Sequence, residues 1–316
     1  MKAVYILNYG GVEQFKIGEL PIPKPAKNEV LIEVYASSVN PVDFKVRSGM
    51  AKFLSGNKFP KILGTDISGV VVETGSEVAK FKVGDAVFGA ASVVFGRNGG
   101  NAEFAAVPEK NLSVKPEDLS FEEAACIPVA GTTAYHNLRN TNIQSGDKVL
   151  VNGASGGVGI FALQIAIIFG AEVTAVCSAK NIDFAKSLGA DKVVDYTHEN
   201  FLKNGMKYNF VFDAYGKLAF QDVINSLEEN GVMFSTLPTP GILFQSLKTK
   251  LFGSKRALMA NANYSANNLS EIAELVIQGK IKIHIDKVFP LEKLADAHKQ
   301  LEQGGGKGKL VVVNKN

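Results

Sequence analysis

The sequence predicts an α/β protein in which a β-rich first part, compatible with a small barrel, precedes a doubly wound parallel sheet. Residues 1–115 contain short apolar or alternating runs interrupted by prolines and glycines, as small barrels do. From residue 120 onward, strand-like and helix-like segments alternate, which is typical of parallel sheets. A glycine-rich turn within residues 149–169 joins a β-branched run to a helical segment and marks the start of that sheet.

The β-rich part is predicted to contain short strands separated by turns, at residues 2–7, 30–39, 69–74 and 85–90. Ser120 followed by Glu123 is a capping-box pattern, which predicts the start of an apolar helix. Residues 281–313 become β-like again around a helix at 291–301. We therefore expect this tail to rejoin the first domain, which gives domains of residues 1–120 with 283–316 and of residues 121–282.

The second domain follows the order of a doubly wound sheet. Its strands are predicted at residues 149–151, 171–177, 193–195, 209–213 and 232–236. Helices are predicted between them, at residues 160–169, 181–188 and 220–227. We expect the last of these helices to stop at Asn230-Gly231, because an Asn-Gly pair is a strong turn signal.

The composition restricts the class of protein. The chain has 316 residues, 46% of them hydrophobic and 21% charged, as in ordinary globular proteins. A net charge of +3 gives no indication of a nucleic-acid partner. Two cysteines, Cys126 and Cys177, cannot form a disulfide framework and favour a reducing compartment. We expect a cytoplasmic protein, because the N-terminus lacks a signal-peptide core and no apolar stretch could span a bilayer.

The glycine-rich turn has the spacing of a dinucleotide-binding loop, G-x-G-x-x-G, with Ala154 in place of the first glycine. Its glycines would let the backbone approach a pyrophosphate, and the first turn of the next helix would present free N–H groups. We expect cofactor contacts from Ser155, Gly156, Gly157 and Val158. Gly159 would let the helix pack tightly on the strand. A merely tight turn is the alternative, but the strands on both sides favour a nucleotide loop.

The end of the second strand indicates which dinucleotide is bound. An NAD site usually has Asp or Glu here, to accept a hydrogen bond from the ribose 2′-hydroxyl. Residues 177–181 contain no acid, whereas Ser178, Lys180 and Asn181 can donate hydrogen bonds to a 2′-phosphate. A solvated lysine that opens the next helix would explain Lys180 equally well on its own. The missing acid favours NADPH as the cofactor.

Four stretches together carry a family resemblance: residues 40–45 (Asn-Pro-Val-Asp-Phe-Lys), 63–69 (Leu-Gly-Thr-Asp-Ile-Ser-Gly), 81–85 (Phe-Lys-Val-Gly-Asp) and the nucleotide loop. In this order and spacing they resemble the medium-chain dehydrogenase/reductase family, in its zinc-free branch of quinone oxidoreductases and enone reductases. The resemblance covers essentially the whole chain. It implies a GroES-like barrel domain, a Rossmann domain and an active site in the cleft between them.

Residue types argue against a zinc site. Zinc-dependent relatives hold a catalytic metal with Cys, His and a further Cys or Asp. Asn40 stands where the first cysteine would be, Thr65 where the histidine would be, and Asp66 in place of a nearby glutamate. The chain also lacks a structural four-cysteine site, and its four histidines show no shared ligand spacing. We therefore expect no bound zinc.

The resemblance also implies the site residues. Lys45 matches a lysine beside the nicotinamide and the substrate. From the chemistry of the reaction, Lys45 and Asn40 are also the candidates to donate hydrogen bonds to the substrate carbonyl oxygen. A solvated charge is the alternative for Lys45, and a helix cap is the favoured role for Asp43. Cofactor contacts are implied for four further residues, namely Thr132, Tyr196, Leu237 and Lys309.

These observations lead to an expected function. Without a Lewis acid, reduction of a quinone or an activated C=C bond is easier than oxidation of a simple alcohol. We expect an NADPH-dependent reductase of quinones or α,β-unsaturated carbonyls, and the family makes a homodimer the expected assembly. The alternative is a crystallin-like NADPH-binding protein with little turnover. Residues 242–256 mix bulky apolar groups with four cations, for which a lid or subunit contact is favoured over membrane contact.

Overall fold

The computed structural model describes residues 1–97, 99–203 and 205–314. Its strands, in chain order, are β1 (Lys2–Ile6), β2 (Phe15–Glu19), β3 (Glu29–Val39), β4 (Lys61–Ile62), β5 (Asp66–Thr74), β6 (Ala86–Ala90), β7 (Phe104–Pro108), β8 (Leu112–Val114), β9 (Lys148–Asn152), β10 (Glu172–Cys177), β11 (Lys192–Asp195), β12 (Tyr208–Asp213), β13 (Leu227–Ser235), β14 (Arg256–Met259), β15 (Ile285–Pro290) and β16 (Lys309–Val313). Its α-helices are α1 (Pro41–Arg47), α2 (Lys52–Ser55), α3 (Phe121–Ala125), α4 (Pro128–Arg139), α5 (Gly157–Ile168), α6 (Ile182–Ser187), α7 (Phe220–Val223), α8 (Pro240–Leu251), α9 (Ala266–Ile277) and α10 (Leu294–Gln303).

The chain forms two compact units. The first comprises Met1–Thr132, Tyr264–Gln278 and Ile283–Asn316, and the second comprises Thr133–Asn263 and Gly279–Lys282. The bounds differ from those expected from the sequence, because residues 121–132 and α9 pack with the first unit. Phe121 stacks on Tyr35 with ring centroids 4.5 Å apart, and α9 packs against β8. The change of sequence pattern at residue 120 marks a change of secondary structure rather than the edge of a packed unit.

The first unit is built on a mostly antiparallel sheet in the order β15-β16-β3-β5-β6-β8, with β7 also pairing to β3. Strand β3 supplies much of its core, because Val30, Ile32 and Val34 alternate along the strand and point to the same side. Strands β2, β1 and β4 form a smaller sheet in that order. The predicted β-rich first part is confirmed.

The C-terminal tail is an integral part of the first unit. Strand β16 runs antiparallel to β3, with Leu310 opposite Val39 and Val311 opposite Ser38. Strand β15 lies beside β16 in the parallel sense. This pairing places Lys309, at the start of β16, beside the carboxyl end of β3, where helix α1 begins.

The second unit contains a six-stranded sheet, counted over the described residues, in the order β11-β10-β9-β12-β13-β14. Every neighbouring pair is parallel, which confirms the doubly wound sheet predicted from the alternating pattern. The strand order reverses direction between β9 and β12, and ligands of such sheets bind at this switch point. Helix α5, the apolar helix after β9, is mostly buried. In the described ranges, no helix combines the length and the apolar character that a membrane span needs.

Two local expectations for the second unit are wrong. The helix expected over residues 220–227 ends at Val223 and continues only as a short 3₁₀ turn. Strand β13 then begins at Leu227 and passes through Asn230, whose φ of 64° shows that the Asn-Gly pair marks an irregularity inside the strand. The sequence reading also missed β14, which forms the edge of the sheet beside β13.

Candidate functional site

The nucleotide loop, residues 153–159, connects the carboxyl end of β9 to the first turn of α5. Helix α5 begins after Gly156, which lacks a side chain and so offers no cap to the free N–H groups. Three helices elsewhere are capped by a side-chain oxygen, from Ser120, Thr239 or Ser265. The amides of Gly157, Val158 and Gly159 are therefore available to an anion at the positive end of the helix dipole.

Two positions of the loop require glycine, one because of close backbone approach and one because of its backbone conformation. A Cβ at Gly159 would lie 2.1 Å from the carbonyl oxygen of Gly153 and 2.8 Å from the Cα of Ala154. Gly153 itself has a φ of 77°, which favours glycine. The expectation that Gly159 lets α5 pack tightly on the strand is confirmed.

Ser155 and Asn181 link the loop to the end of β10. The Asn181 side-chain amide donates a 2.8 Å hydrogen bond to the Ser155 Oγ, and both residues are buried. The Asn181 Oδ1 is also buried, but no hydrogen-bond partner for it occurs in the part of the chain that the structure describes. A buried polar group without a partner costs free energy, so this atom marks a place where a ligand or water would complete the network.

The other predicted 2′-phosphate contacts lie near this point and are accessible. Lys180 is exposed and Ser178 is half-buried, directly after β10. Tyr196 is exposed, and its backbone amide donates to the carbonyl of Cys177, which places it beside the same strand end. Sequence reasoning missed Asp195, which lies opposite Cys177 on β11. Hydrogen bonds from Thr197 and His198 lower the pKa of Asp195, so its carboxylate is stabilised in the charged form.

A second missed pair lies at the switch point of the sheet. Asn152 ends β9 and Asp213 ends β12, and the Asn152 amide donates to the Asp213 carboxylate at 2.8 Å. Asp213 also accepts from the backbone amides of Gly216 and Leu218, and burial raises its pKa. The signal for this pair was present in the sequence, because both polar residues end predicted apolar strands. Leu237, predicted beneath the nicotinamide, is half-buried beyond β13.

The first unit holds a buried ion-pair cluster, which we define as Ser38, Asn40, Asp66 and Lys309. The Lys309 ammonium lies 3.2 Å from the Asp66 carboxylate and 2.5 Å from the Asn40 Oδ1. The Asn40 amide donates to Asp66 at 2.7 Å and to the carbonyl of Ser38 at 3.3 Å. Ser38 Oγ donates to Asp66 as well, at 2.5 Å. Both N–H bonds of Asn40 are therefore used inside the protein, and its predicted donation to substrate stays a prediction that needs a rearrangement.

Lys309 was predicted to contact the cofactor from the tail. The structure shows its ammonium buried against Asp66, with only 3% of the residue exposed. Sequence reasoning missed Asp66 as a site residue, although it connects three elements. Asp66 contacts Lys309 of β16 and Asn40 at the start of α1. It also accepts a hydrogen bond from the backbone amide of Val129 at 2.8 Å, which holds the start of α4.

Asp43 caps α1, as expected. It accepts a hydrogen bond from the backbone amide of Asn40 at 2.9 Å, which is half of a capping box. Its other oxygen accepts from the backbone and the hydroxyl of Thr65, at 3.0 and 2.7 Å. Complete burial raises the pKa of Asp43 to about 6, against these hydrogen bonds. Thr65 therefore acts as a hydrogen-bond donor to Asp43.

Lys45 lies two residues after Asp43 on α1. Unlike the buried Lys309, it is only partly covered by protein. It is half-buried, and burial lowers the pKa of its ammonium. Across residues 1–97, 99–203 and 205–314, its ammonium makes no hydrogen bond or ion pair.

Thr132 is fully buried in α4, and its hydroxyl donates to the carbonyl of Pro128 one turn earlier. Contact between Thr132 and a phosphate would need this hydroxyl to turn.

The potential metal ligands in the described parts of the chain are His, Cys, Asp and Glu side chains. No group of three or more His, Cys, Asp or Glu residues in these parts is arranged to hold a metal ion. His298 is buried beside Arg47, and burial lowers its pKa to about 3. Burial also raises the pKa of Cys126 to about 12, so this thiol is inert at neutral pH.

Comparison with known proteins gives consistent matches over the whole chain. Residues 26–117 match the model described as alcohol dehydrogenase GroES-like domain, and residues 188–312 match the model described as zinc-binding dehydrogenase. A chloroplast envelope quinone oxidoreductase homolog of Arabidopsis thaliana is 39% identical, over 98% of each chain. A 2-methylene-furan-3-one reductase of Solanum lycopersicum is 35% identical, over 99% of this chain and 79% of its own.

Solved structures agree with these relatives. The quinone oxidoreductase from Coxiella burnetii superposes with a TM-score of 0.92 at 34% identity, over 100% of this chain and 99% of its own. The quinone oxidoreductase of Escherichia coli, solved as a complex with NADPH, has a TM-score of 0.84 at 26% identity, over 99% of this chain and 100% of its own. The match therefore extends over both units.

Proposed function

Because the chain belongs to the medium-chain dehydrogenase/reductase family, in its quinone oxidoreductase branch, we propose that it is an NADPH-dependent reductase. Its substrates would be quinones or the C=C bonds of α,β-unsaturated carbonyls. Relatives that match nearly all of this chain, and whose names include a quinone oxidoreductase and a 2-methylene-furan-3-one reductase, support both substrate classes. The observation that carries the proposal is the half-buried Lys45 side chain, whose ammonium has no hydrogen bond or ion pair to any residue that the structure describes.

The residues of the second unit fit a dinucleotide. The open amides of Gly157 and Val158, with Ser155 and Gly156, would bind the pyrophosphate at the start of α5. Ser178, Lys180 and Asn181 would bind the adenosine end. The Asn181 Oδ1, which has no partner among the described residues, would accept a hydrogen bond from a ribose hydroxyl there. The lack of an acid at residues 177–181 favours the 2′-phosphate of NADPH over NADH. The E. coli relative solved with NADPH supports the same choice.

Lys45 would act on the substrate. When bound, NADPH supplies a hydride from its nicotinamide ring to the β-carbon of an enone or to a quinone. Negative charge then develops on the substrate carbonyl oxygen. A preorganised ammonium group stabilises such charge strongly in a partly desolvated site. Because the Lys45 ammonium is bonded to none of the described residues, it can donate to that oxygen without breaking an interaction with them. Solvent supplies the final proton.

The buried ion-pair cluster would position this lysine. Asp66 holds Asn40 at the start of α1, and Asp43 fixes the same turn through the Asn40 amide. Helix α1 is thereby anchored at its beginning, which limits where Lys45 can lie. We further propose that the reaction needs no zinc, because Asn40 and Thr65 are poor zinc ligands and are hydrogen-bonded to Asp66 and Asp43.

NADPH oxidation against a panel of quinones, alkenals and simple ketones tests the proposal, with NADH as the competing cofactor. We expect turnover of quinones or enones, preference for NADPH and little activity on simple ketones. NADPH that binds tightly but is never oxidised would instead favour the crystallin-like binding protein. Stoichiometric zinc in the purified protein would contradict the zinc-free mechanism. The cytoplasmic location stays a prediction, since named relatives include chloroplast and mitochondrial proteins. The homodimer also stays a prediction.

A further inference from the structure

Helix α8 carries its large apolar side chains on the side that faces solvent. Leu243, Leu247 and Leu251 recur every four residues and Phe244 adjoins them, so the four form one stripe, here called the outward stripe. Their exposed fractions are 48%, 63%, 65% and 63% in the same order. The opposite side of α8 buries only Ile242 and Thr249. A helix that served only the core would show the reverse arrangement.

The outward stripe is more than an occasional exposed side chain. Val83, in a turn of the first unit, is 63% exposed between Lys82 and Gly84, and such isolated apolar residues are common on protein surfaces. The outward stripe is contiguous instead, and Phe252 extends it past the end of the helix with 74% exposure. Contiguous exposed apolar patches mark surfaces that bind a partner or a membrane.

Cations border the outward stripe on both sides. Lys248 follows Phe244 by one helical turn, and Lys250 follows Leu247 by three residues, so each lysine lies next to the stripe. Lys255 and Arg256 follow directly after the helix. Between Glu229 and Glu271 the sequence contains no Asp or Glu. The segment that carries the stripe is therefore basic as well as apolar.

We propose that α8 docks this protein to an anionic lipid surface. The outward stripe would enter the boundary between headgroups and acyl chains, which is how interfacial amphipathic helices bind. Lys248 and Lys250 would extend along it and place their ammonium groups at the lipid phosphates. A second copy of this chain fits less well. A two-fold interface would bring the lysines of both copies around one patch, with no acidic residue in the segment to pair with them. The proposal does not depend on the reductase function.

Vesicle flotation of the full chain tests the proposal. The vesicles would consist of phosphatidylcholine alone or with about 30% phosphatidylglycerol, since the attraction requires anionic lipid. We expect binding only to the anionic vesicles. Lys248→Gln/Lys250→Gln should weaken it about 30-fold, at about fivefold per lysine. Phe244→Gln/Leu247→Gln should weaken it about tenfold or more by removing buried apolar area.

Matched controls separate this site from general surface properties. Lys186→Gln/Lys280→Gln removes two exposed lysines elsewhere in the second unit, and Phe53→Gln removes an exposed phenylalanine of the first unit. Both control proteins should float like the wild type. Absence of binding, binding to neutral vesicles alone, or equal loss in the controls would overturn the proposal. A dimer in sedimentation that Phe244→Gln/Leu247→Gln dissociates, without vesicle binding, would assign the stripe to a second copy and also overturn it.

Discussion

The buried ion-pair cluster of the first unit and the nucleotide loop of the second are both polar, but they use their hydrogen-bonding groups in opposite ways. In the cluster, Asp66 accepts from four donors, and Asn40 has both N–H bonds engaged. In the loop, the first turn of α5 has no side-chain cap, and the Asn181 Oδ1 has no partner among the described residues. A saturated network holds elements together, whereas an open one is available to a ligand.

Lys45 and Lys309 show the same difference at the level of single side chains. Both were predicted site residues, yet Lys309 forms an internal ion pair and Lys45 forms none with the residues that the structure describes. We propose that Lys309 positions helix α1 and that Lys45 acts on the substrate. Substitutions at the cluster should therefore change stability first, and substitutions at open groups should change binding or rate.

The largest expected effect on stability is that of Asp66→Asn. It removes the charge that compensates the buried Lys309, and such losses cost about 3–5 kcal/mol of unfolding free energy. Urea unfolding measures this directly. Glu292→Gln, which breaks the exposed pair with Lys2, is the matched control and should cost less than about 1 kcal/mol. Equal effects of the two substitutions would contradict the view that the cluster is structural.

Asp43 gives a pH-dependent test of the same region. Its pKa is raised from 3.8 to about 6 in the folded protein, so the folded state holds the proton more tightly than the unfolded state. Stability should therefore fall as pH rises from about 4 to 6, by about 1–3 kcal/mol from this group. The unfolding free energies of wild type and Asp43→Asn, compared over this interval, isolate the contribution. Parallel pH profiles for the two proteins would rule it out.

The smallest expected effect concerns Lys180 at the open adenosine end. Exposed ion pairs contribute about 0.2–1 kcal/mol, so Lys180→Ala should weaken NADPH binding by up to about fivefold. NADH binding should not change, because NADH lacks the 2′-phosphate. Lys186→Ala, on the next helix, controls for general charge. Titration of each cofactor by fluorescence provides the affinities, and equal weakening for NADPH and NADH would refute the assigned contact.

Local sequence patterns predicted the parts of the fold that local physics determines. The spacing of the nucleotide loop identified the β9–α5 connection, since Gly153 and Gly159 satisfy requirements of neighbouring backbone. The Ser120–Glu123 capping box was likewise found where its pattern predicted. The parallel sheet followed from alternation alone. These features depend on residues close together in the chain.

The features that the sequence did not reveal depend on distant residues. Asp66 and Lys309 are 243 positions apart, and no local pattern connects them. The composition of 242–256 revealed apolar and basic residues but not which side of α8 is buried. That side is set by packing against the rest of the second unit, which buries Ile242 with Ala257 and Phe220. The residues of α9 were assigned to the wrong unit for the same reason.

The central claim is that Lys45 stabilises charge on the substrate and does not hold the cofactor. Single-turnover oxidation of bound NADPH by an enone, in wild type, Lys45→Ala and the control Lys52→Ala, tests it most directly. We predict unchanged NADPH affinity in all three proteins. The hydride-transfer rate should fall about 10²–10³-fold in Lys45→Ala alone, the usual cost of losing a donor to a developing oxyanion. A Lys45→Ala rate equal to that of the wild type would contradict the account, and so would a loss explained by weaker NADPH binding.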